Sequence, residues 1–364
     1  MLQRGCFTLS GSVAQLWKNA GAGKRTAYVA LALSVAILCV FLAVLFGVVY
    51  GGSTAFGPPE SPAYEDTRHL QIVTVQMHWD VSDYASRDAF EAEIAHLMKE
   101  GMAQVNPGQP ALFVFPELIG APLYLVGDYE AARKQETFAK AMEAVVKGNP
   151  VGVLFYLARF GVGPARALCL AKGKTAGRIY VETFSTMART HGVYISAGSI
   201  PLPDFELAAD GSRIDYSVRG PEVYNVSYLF GPDGRIAGRQ KKTFLTKLEQ
   251  PDGLDLTPGS LEGLQVVEIP GGRIGVAICL DAFQDEVVDT LVAKGADILV
   301  QPSANPGPWT PGEQENWLNS AWHQVQRRPE LRCAVNPMMN GELFDLVFQG
   351  QSAVLVQEDK GDPT

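Results

Sequence analysis

The sequence predicts an α/β layered domain preceded by a single N-terminal transmembrane helix. Three observations carry that reading. No charged residue lies between Thr26 and Pro59. Beyond that gap, short apolar runs alternate with stretches of helical spacing. The 364 residues are 47% hydrophobic, enough to bury one large core or two modest ones.

Residues 1–26 form a basic tail: Arg4, Lys18, Lys24 and Arg25 occur there before any acid. Ala27 to Tyr50 (AYVALALSVAILCVFLAVLFGVVY) is apolar all round, as a lipid-facing helix requires, and long enough to cross a hydrocarbon core of about 30 Å. Ser53-Thr54-Ala55 could pass for a signal-peptide cleavage site, but a secretory apolar core typically runs only ~7–15 residues, so an anchor is expected. Basic residues before the span and Glu60, Glu65 and Asp66 after it place the tail in the cytoplasm and the bulk of the chain outside, as a single-pass membrane protein. Residues 51–68, rich in Gly, Pro and Ser, read as a linker. Asn19 to Thr26 (NAGAGKRT) lacks the GKS or GKT ending of a phosphate loop and no strand precedes it.

The remaining domain is assigned to residues 69–364. His69 to Met77 and Ala111 to Phe115 are buried-strand candidates, with a helix over Ala89 to Val105 between them, where Phe90, Ile94, Leu97 and Met98 recur at helical spacing. Val193 to Ser199, Val226 to Phe230, Ile274 to Ile278 and Ala296 to Val300 are further strands, and Arg178 to Thr190 and Asp285 to Lys294 further helices. Strands interleaved with helices imply a layered domain with a largely covered sheet. Tyr224 to Gly234 reads as a strand ending in a Pro-Asp-Gly turn. Phe138 to Ala171 includes GNPVGVLFYLARFGVGPARALCLA, apolar apart from Arg159 and Arg166, an insertion read either as a helix pair packed on the core or as a lid against a bilayer or an apolar substrate.

The formal net charge is −9, which argues against nucleic acid as a partner. Five scattered cysteines make no disulfide framework, and no CxxC or Cys/His cluster suggests zinc. Cys169, Cys279 and Cys333 fall in the folded part, where a cysteine is usually an inert core residue unless its context says otherwise.

Three short motifs supply that context in chain order: FPEL with Glu117 directly after a buried strand, GRQKKTFLTKLE with Lys242 and Glu249, and GVAICLDAF with Cys279. With Asn225, the PDG turn, ADILVQPSA and Phe348 to Ser352 (FQGQS), the set resembles the nitrilase, or carbon–nitrogen hydrolase, superfamily from about His69 onward. The resemblance implies a nitrilase-type α-β-β-α sandwich and a Glu117–Lys242–Cys279 triad. The family pattern Lys-x-x-Leu selects Lys242 over its neighbour Lys241, with Leu245 as its match. Glu249 matches an additional glutamate with a substrate-positioning or proton-handling role, and the N–H of Leu280 is implied as an oxyanion donor. Compared with that family, residues 138–171 read as an insertion, and the end of the chain as incomplete.

The chemistry explains the residue types. A thiol attacks a carbonyl or nitrile carbon as its thiolate. A carboxylate beside it can take the proton, provided burial or like charge lifts it from its ordinary pKa of about 4.3. A fixed ammonium and a backbone N–H can hold the resulting oxyanion. His191 and His323 offer a rival Cys–His pairing but carry no local signature. The expectation is therefore an amidase using no metal or organic cofactor and acting on a small-molecule amide or acyl substrate at a membrane lipid bilayer. An N-acyltransferase like the nitrilase-like domain of apolipoprotein N-acyltransferase is the alternative, and an inactive binding protein a third. Homo-oligomer formation stays open.

Overall fold

In the computed structural model, which describes residues 52–57, 64 and 69–357 together with 29, 34–35 and 37–38, the run Ala111–Phe115 sits at the heart of a layered domain. The chain divides into two units, Met1–Val49 and Tyr50–Thr364. In the first, Val29, Ser34, Val35, Ile37 and Leu38 are helical and exposed; the rest of the expected span Ala27 to Tyr50, and the basic tail, lie outside the described residues.

In the second unit, β1 (Gln71–Thr74) is followed by α1 (Arg87–Met102) and β2 (Ala111–Val114). Three helices come next, α2 (Phe138–Gly148), α3 (Pro150–Phe160) and α4 (Pro164–His191). They lead into β3 (Tyr194–Ser196), β4 (Ile200–Pro203), β5 (Val223–Phe230) and β6 (Ile236–Lys241). These strands order β6-β5-β3-β2-β1, with β4 also on β5; β1, β2 and β3 are parallel and β5 and β6 antiparallel. Parallel neighbours need crossovers, which α1 and the α2–α4 segment provide.

The second sheet holds β7 (Val266–Ile269), β8 (Gly272–Val276), β9 (Ile298–Val300), β10 (Cys333–Asn336) and β11 (Ala353–Val356), in that order. Its helices are α5 (Asp285–Ala293), between β8 and β9, and α6 (Ala321–Arg327). A smaller sheet joins Ser303–Ala304, Met338–Leu343, Leu346–Phe348 and His78–Trp79.

Alternation along the strands sets the layers. Leu112 and Val114 pack with Ile274, Val276, Ile298, Val300 and Val335 between the two sheets. On the opposite face, Phe115 meets Phe184 of α4 at 5.0 Å between ring centroids, and Phe184 meets Phe90 of α1 at 6.2 Å. Beyond the second sheet, Val287, Val288 and Leu291 of α5 and Val325 of α6 cover Leu299 and Ala334. The result is helix, sheet, sheet, helix.

Several expected elements change extent. The first strand is Gln71–Thr74 alone and only half-buried, because β1 is the edge of its sheet. The helix expected over Arg178 to Thr190 begins at Pro164, where a proline suits the first turn, and stops at Gly192, whose φ of 64° caps it. Residues 138–171 are thus α2, α3 and the start of α4, with α3 bent 118° from α4. Among the described residues no single helix is long and apolar enough to cross a membrane. α3 buries Val153 and Tyr156 and leaves Val151 and Leu154 exposed. Inside the expected linker, Ser53–Ala55 is a strand paired with Arg213–Asp215, and Arg235 donates to Gly57 O at 2.8 Å.

Candidate active site

Each of the three motif residues stands just past the end of a strand. Glu117 follows β2, where Leu118 adopts a φ of 58° and donates its N–H to Ser199 Oγ at 2.9 Å. Gly198 packs against this turn at a φ of 67°; a Cβ there would lie 1.9 Å from Pro116 O. Lys242 follows β6, its N–H bonded to Asn225 O at 2.8 Å and its carbonyl accepting from Gly259 at 2.7 Å. Cys279 lies just beyond β8 with a φ of 50°, a costly backbone for a non-glycine residue. Its N–H donates to Pro302 O at 3.0 Å, and Gln301 Nε2 donates to its carbonyl at 3.1 Å.

These positions converge. Lys242 Nζ donates to Glu117 Oε1 at 2.7 Å and to Glu249 Oε2 at 2.6 Å, with all three side chains buried. The buried Cys279 thiol lies close enough to Glu117, Lys242 and Glu249 for their charges to act on it. Ala304 N–H donates to Glu117 Oε2 at 3.1 Å. Leu280 is the second residue of a short 3-10 turn, Cys279–Phe283, where an N–H has no acceptor inside the turn.

Sequence reasoning gave no role to three further residues. Asn225 Nδ2 bridges the two carboxylates, at 3.0 Å to Glu117 and 2.7 Å to Glu249. Asp281 is fully buried and accepts from Phe244 N–H at 2.7 Å and Thr243 N–H at 3.1 Å, tying the loop after Lys242 to the loop of Cys279. Gln301 ties Cys279 to the N–H of Ala321, at the start of α6. Asp281 sits inside GVAICLDAF, Gln301 inside ADILVQPSA and Asn225 inside YNVSYLFGPDG, but nothing local marks a bridging amide or a buried loop tie.

Burial raises the Glu117 carboxyl above its ordinary value, with Lys242 opposing and Glu249 adding to the rise. For Lys242 burial works downward, but Glu117, Cys279 and Glu249 more than reverse it, so the side chain is held as an ammonium. Burial, then the charge of Glu117, pushes the Cys279 thiol well above the usual range, against Lys242 and the Ala304 N–H. The resting site therefore keeps a proton on sulfur, beside a carboxylate raised toward a useful base. Burial also lifts Asp281 to about 7, against the two loop N–H groups.

His191 is the last residue of α4, and His323 of α6 lies 3.0 Å from Arg327. Cys169 is buried beside Tyr124, and Cys333 lies in β10. Among the described residues, no group of three or more His, Cys, Asp or Glu could hold a metal ion. An apolar pocket of about 50 Å³ has in its wall Leu118 and Leu248, the sequence neighbours of Glu117 and Glu249. Phe138 and Met142 of α2 close another side.

The model of the carbon–nitrogen hydrolase family matches residues 74–355. An omega-amidase of Danio rerio is 30% identical over 129 residues, 34% of this chain and 40% of that protein. Human deaminated glutathione amidase is 28% identical over 186 residues, 47% of this chain and 52% of that one. This chain therefore spans about half or less of the curated relatives it matches. Among solved structures, a mutant amidase of Nesterenkonia AN1 from the nitrilase superfamily has a TM-score of 0.48 at 16% identity, covering 80% of this chain and 85% of that one.

Proposed function

The chain belongs to the carbon–nitrogen hydrolase family, and from that premise we propose that it cleaves an amide through a thioester on Cys279. The observation that carries this reading is the buried charge cluster: Lys242 Nζ joins Glu117 at 2.7 Å and Glu249 at 2.6 Å, and the buried Cys279 thiol lies within reach of all three charges.

The steps follow from that arrangement. Glu117 takes the thiol proton as sulfur bonds to the amide carbon. The oxygen becomes an anion facing Lys242 and the Leu280 N–H. Two of the three ammonium protons are committed to Glu117 and Glu249, which leaves one for the oxyanion. Removing one such donor typically costs ~2.7–4 kcal/mol of transition-state stabilisation. Glu117 then protonates the departing nitrogen, the C–N bond breaks, and ammonia or an amine leaves. Water attacks the thioester, Glu117 takes its proton, and the thiol re-forms. Glu249 acts in this scheme through Lys242, because Asn225 and Thr246 already occupy its other acceptor positions.

The test is the natural protein mixed with an amide, quenched in acid during turnover and weighed intact: an acyl adduct should appear, be absent from Cys279→Ala, and form far more slowly in Glu117→Gln. Release of ammonia by the Cys279→Ala protein at a comparable rate would overturn the covalent mechanism. An N-acyltransferase would resolve the same thioester with an amine, so an N-acyl product dominating over acid when a primary amine is supplied would move the reading to transfer. We place the domain outside the membrane, tethered by Ala27 to Tyr50. Protease added to intact spheroplasts should digest it, and protection of the whole domain would reverse the orientation.

A further inference from the structure

We infer that the acyl part of the substrate is a short, uncharged, apolar group seated in the pocket walled by Leu118 and Leu248, the neighbours of Glu117 and Glu249. The inference rests on the amidase reading and specifies its substrate class.

The pocket is continuous with the catalytic chain segments. Leu118 and Leu248 stand in its wall, one residue from the two carboxylates that hold Lys242. Its volume of about 50 Å³ has room for a few methylene groups. None of the lining residues is Asp, Glu, Lys, Arg or His.

The few polar atoms in that wall are already used. Tyr124 donates its hydroxyl to Pro201 O at 2.8 Å and so offers the pocket only its ring. Trp79 Nε1 donates to Tyr84 Oη at 3.1 Å, and the ring of Trp79 meets Phe348 edge-on at 4.7 Å. The Cys169 thiol is neutral, burial having pushed it up to about 12. A substrate carboxylate entering here would lose its water and find no donor, which is expensive for a charged group. A methylene chain gains from the same transfer. Part of the wall comes from α2, in the stretch 138–171, so that stretch has a function at the site besides packing.

Apolar burial makes each added methylene worth about a fourfold gain in kcat/KM until the pocket is full. The experiment uses the full chain and straight-chain primary amides from three to eight carbons, each paired with its ω-carboxylate counterpart, with ammonia release as the readout. The expected result is a rise of about fourfold per methylene to a plateau, and a loss of at least a hundredfold on adding the terminal carboxylate. A flat length profile, or equal rates for the carboxylate partners, would overturn the inference while leaving the amidase reading intact.

Calorimetry with the Cys279→Ala protein and pentanamide separates the two claims. Binding without turnover of any amide by the natural protein would leave the pocket standing and sink the amidase reading. A Met142→Lys change should flatten the length profile and lift the carboxylate series. Leu346→Lys, on the hairpin side of the same pocket, repeats the test should the first variant fail to fold. An unchanged length profile in a folded variant would again overturn the inference.

Discussion

At the scale of single residues, the buried acids give opposite pH dependences for activity and stability. In the proposed mechanism Glu117 must be ionised to accept the thiol proton, and burial has raised it. Turnover should therefore fall with decreasing pH along an acid limb lying above the ordinary glutamate value of about 4.3. Stability follows the other sign. Asp281 titrates near 7 when folded against its ordinary 3.8, so between those values the folded chain binds more protons than the unfolded one. Its contribution is full below about 3.8 and is lost as pH rises through about 7. Asp281→Asn keeps an oxygen that can accept from Thr243 and Phe244 and removes the charge. It should flatten the fall in Tm across that window and keep most activity. Asp281→Ala should lose activity by tenfold or more, because it frees the loop beyond Lys242. An unchanged Tm slope in the Asn variant would assign the pH dependence to another group.

At the scale of elements, the site is an assembly of turns, and their backbone is as demanding as their side chains. Gly198 shows this. Its φ of 67° and the approach to Pro116 O leave no room for a Cβ, and the carbonyl it would strike immediately precedes Glu117. Gly198→Ala should cost more than about 1 kcal/mol and lower kcat as well as Tm. Gly312→Ala, in the exposed helix Pro311–Trp317, meets nothing within 4 Å and should be harmless. Equal Tm values for the two variants would mean that the turn before Glu117 tolerates rearrangement. The same turns explain what the sequence could and could not disclose. Glu117, Lys242 and Cys279 each follow an apolar run within one short segment, so residue type and spacing point to them. The contacts that orient them cross the chain: Asn225 reaches Glu117 over 108 positions and Ala304 N–H over 187. Local pattern carries no record of such distances. It also merged α2, α3 and the first turns of α4 into one apolar stretch, because breaks at Asn149 and Gly161 are decided by caps rather than by hydropathy.

At the scale of the whole molecule, the boundary of the catalytic domain falls earlier than composition suggests. Gly, Pro and Ser over residues 51–68 read as an unstructured tether, yet Ser53–Ala55 adds a third strand to the sheet of Glu206–Leu207 and Arg213–Asp215. Thr54 Oγ1 donates to Glu182 Oε1 of α4 at 3.1 Å, and Arg235 donates to Gly57 O. Short polar residues flanked by glycines give no hydrophobic signal, so only the pairing reveals the strand. Two truncations make the boundary measurable. Removal of residues 1–50 should leave turnover of short amides and Tm within error of the full chain, and should release the protein from the membrane fraction into detergent-free buffer. Removal of residues 1–57 also takes away the strand and its bonds. At roughly 1 kcal/mol per net hydrogen bond lost and about 2–4 °C per kcal/mol, Tm should fall by several degrees while activity at 25 °C persists. Equal Tm values for the two truncations would return residues 53–57 to the linker. A full-length chain that is already soluble without detergent would remove the case for the anchor at Ala27 to Tyr50.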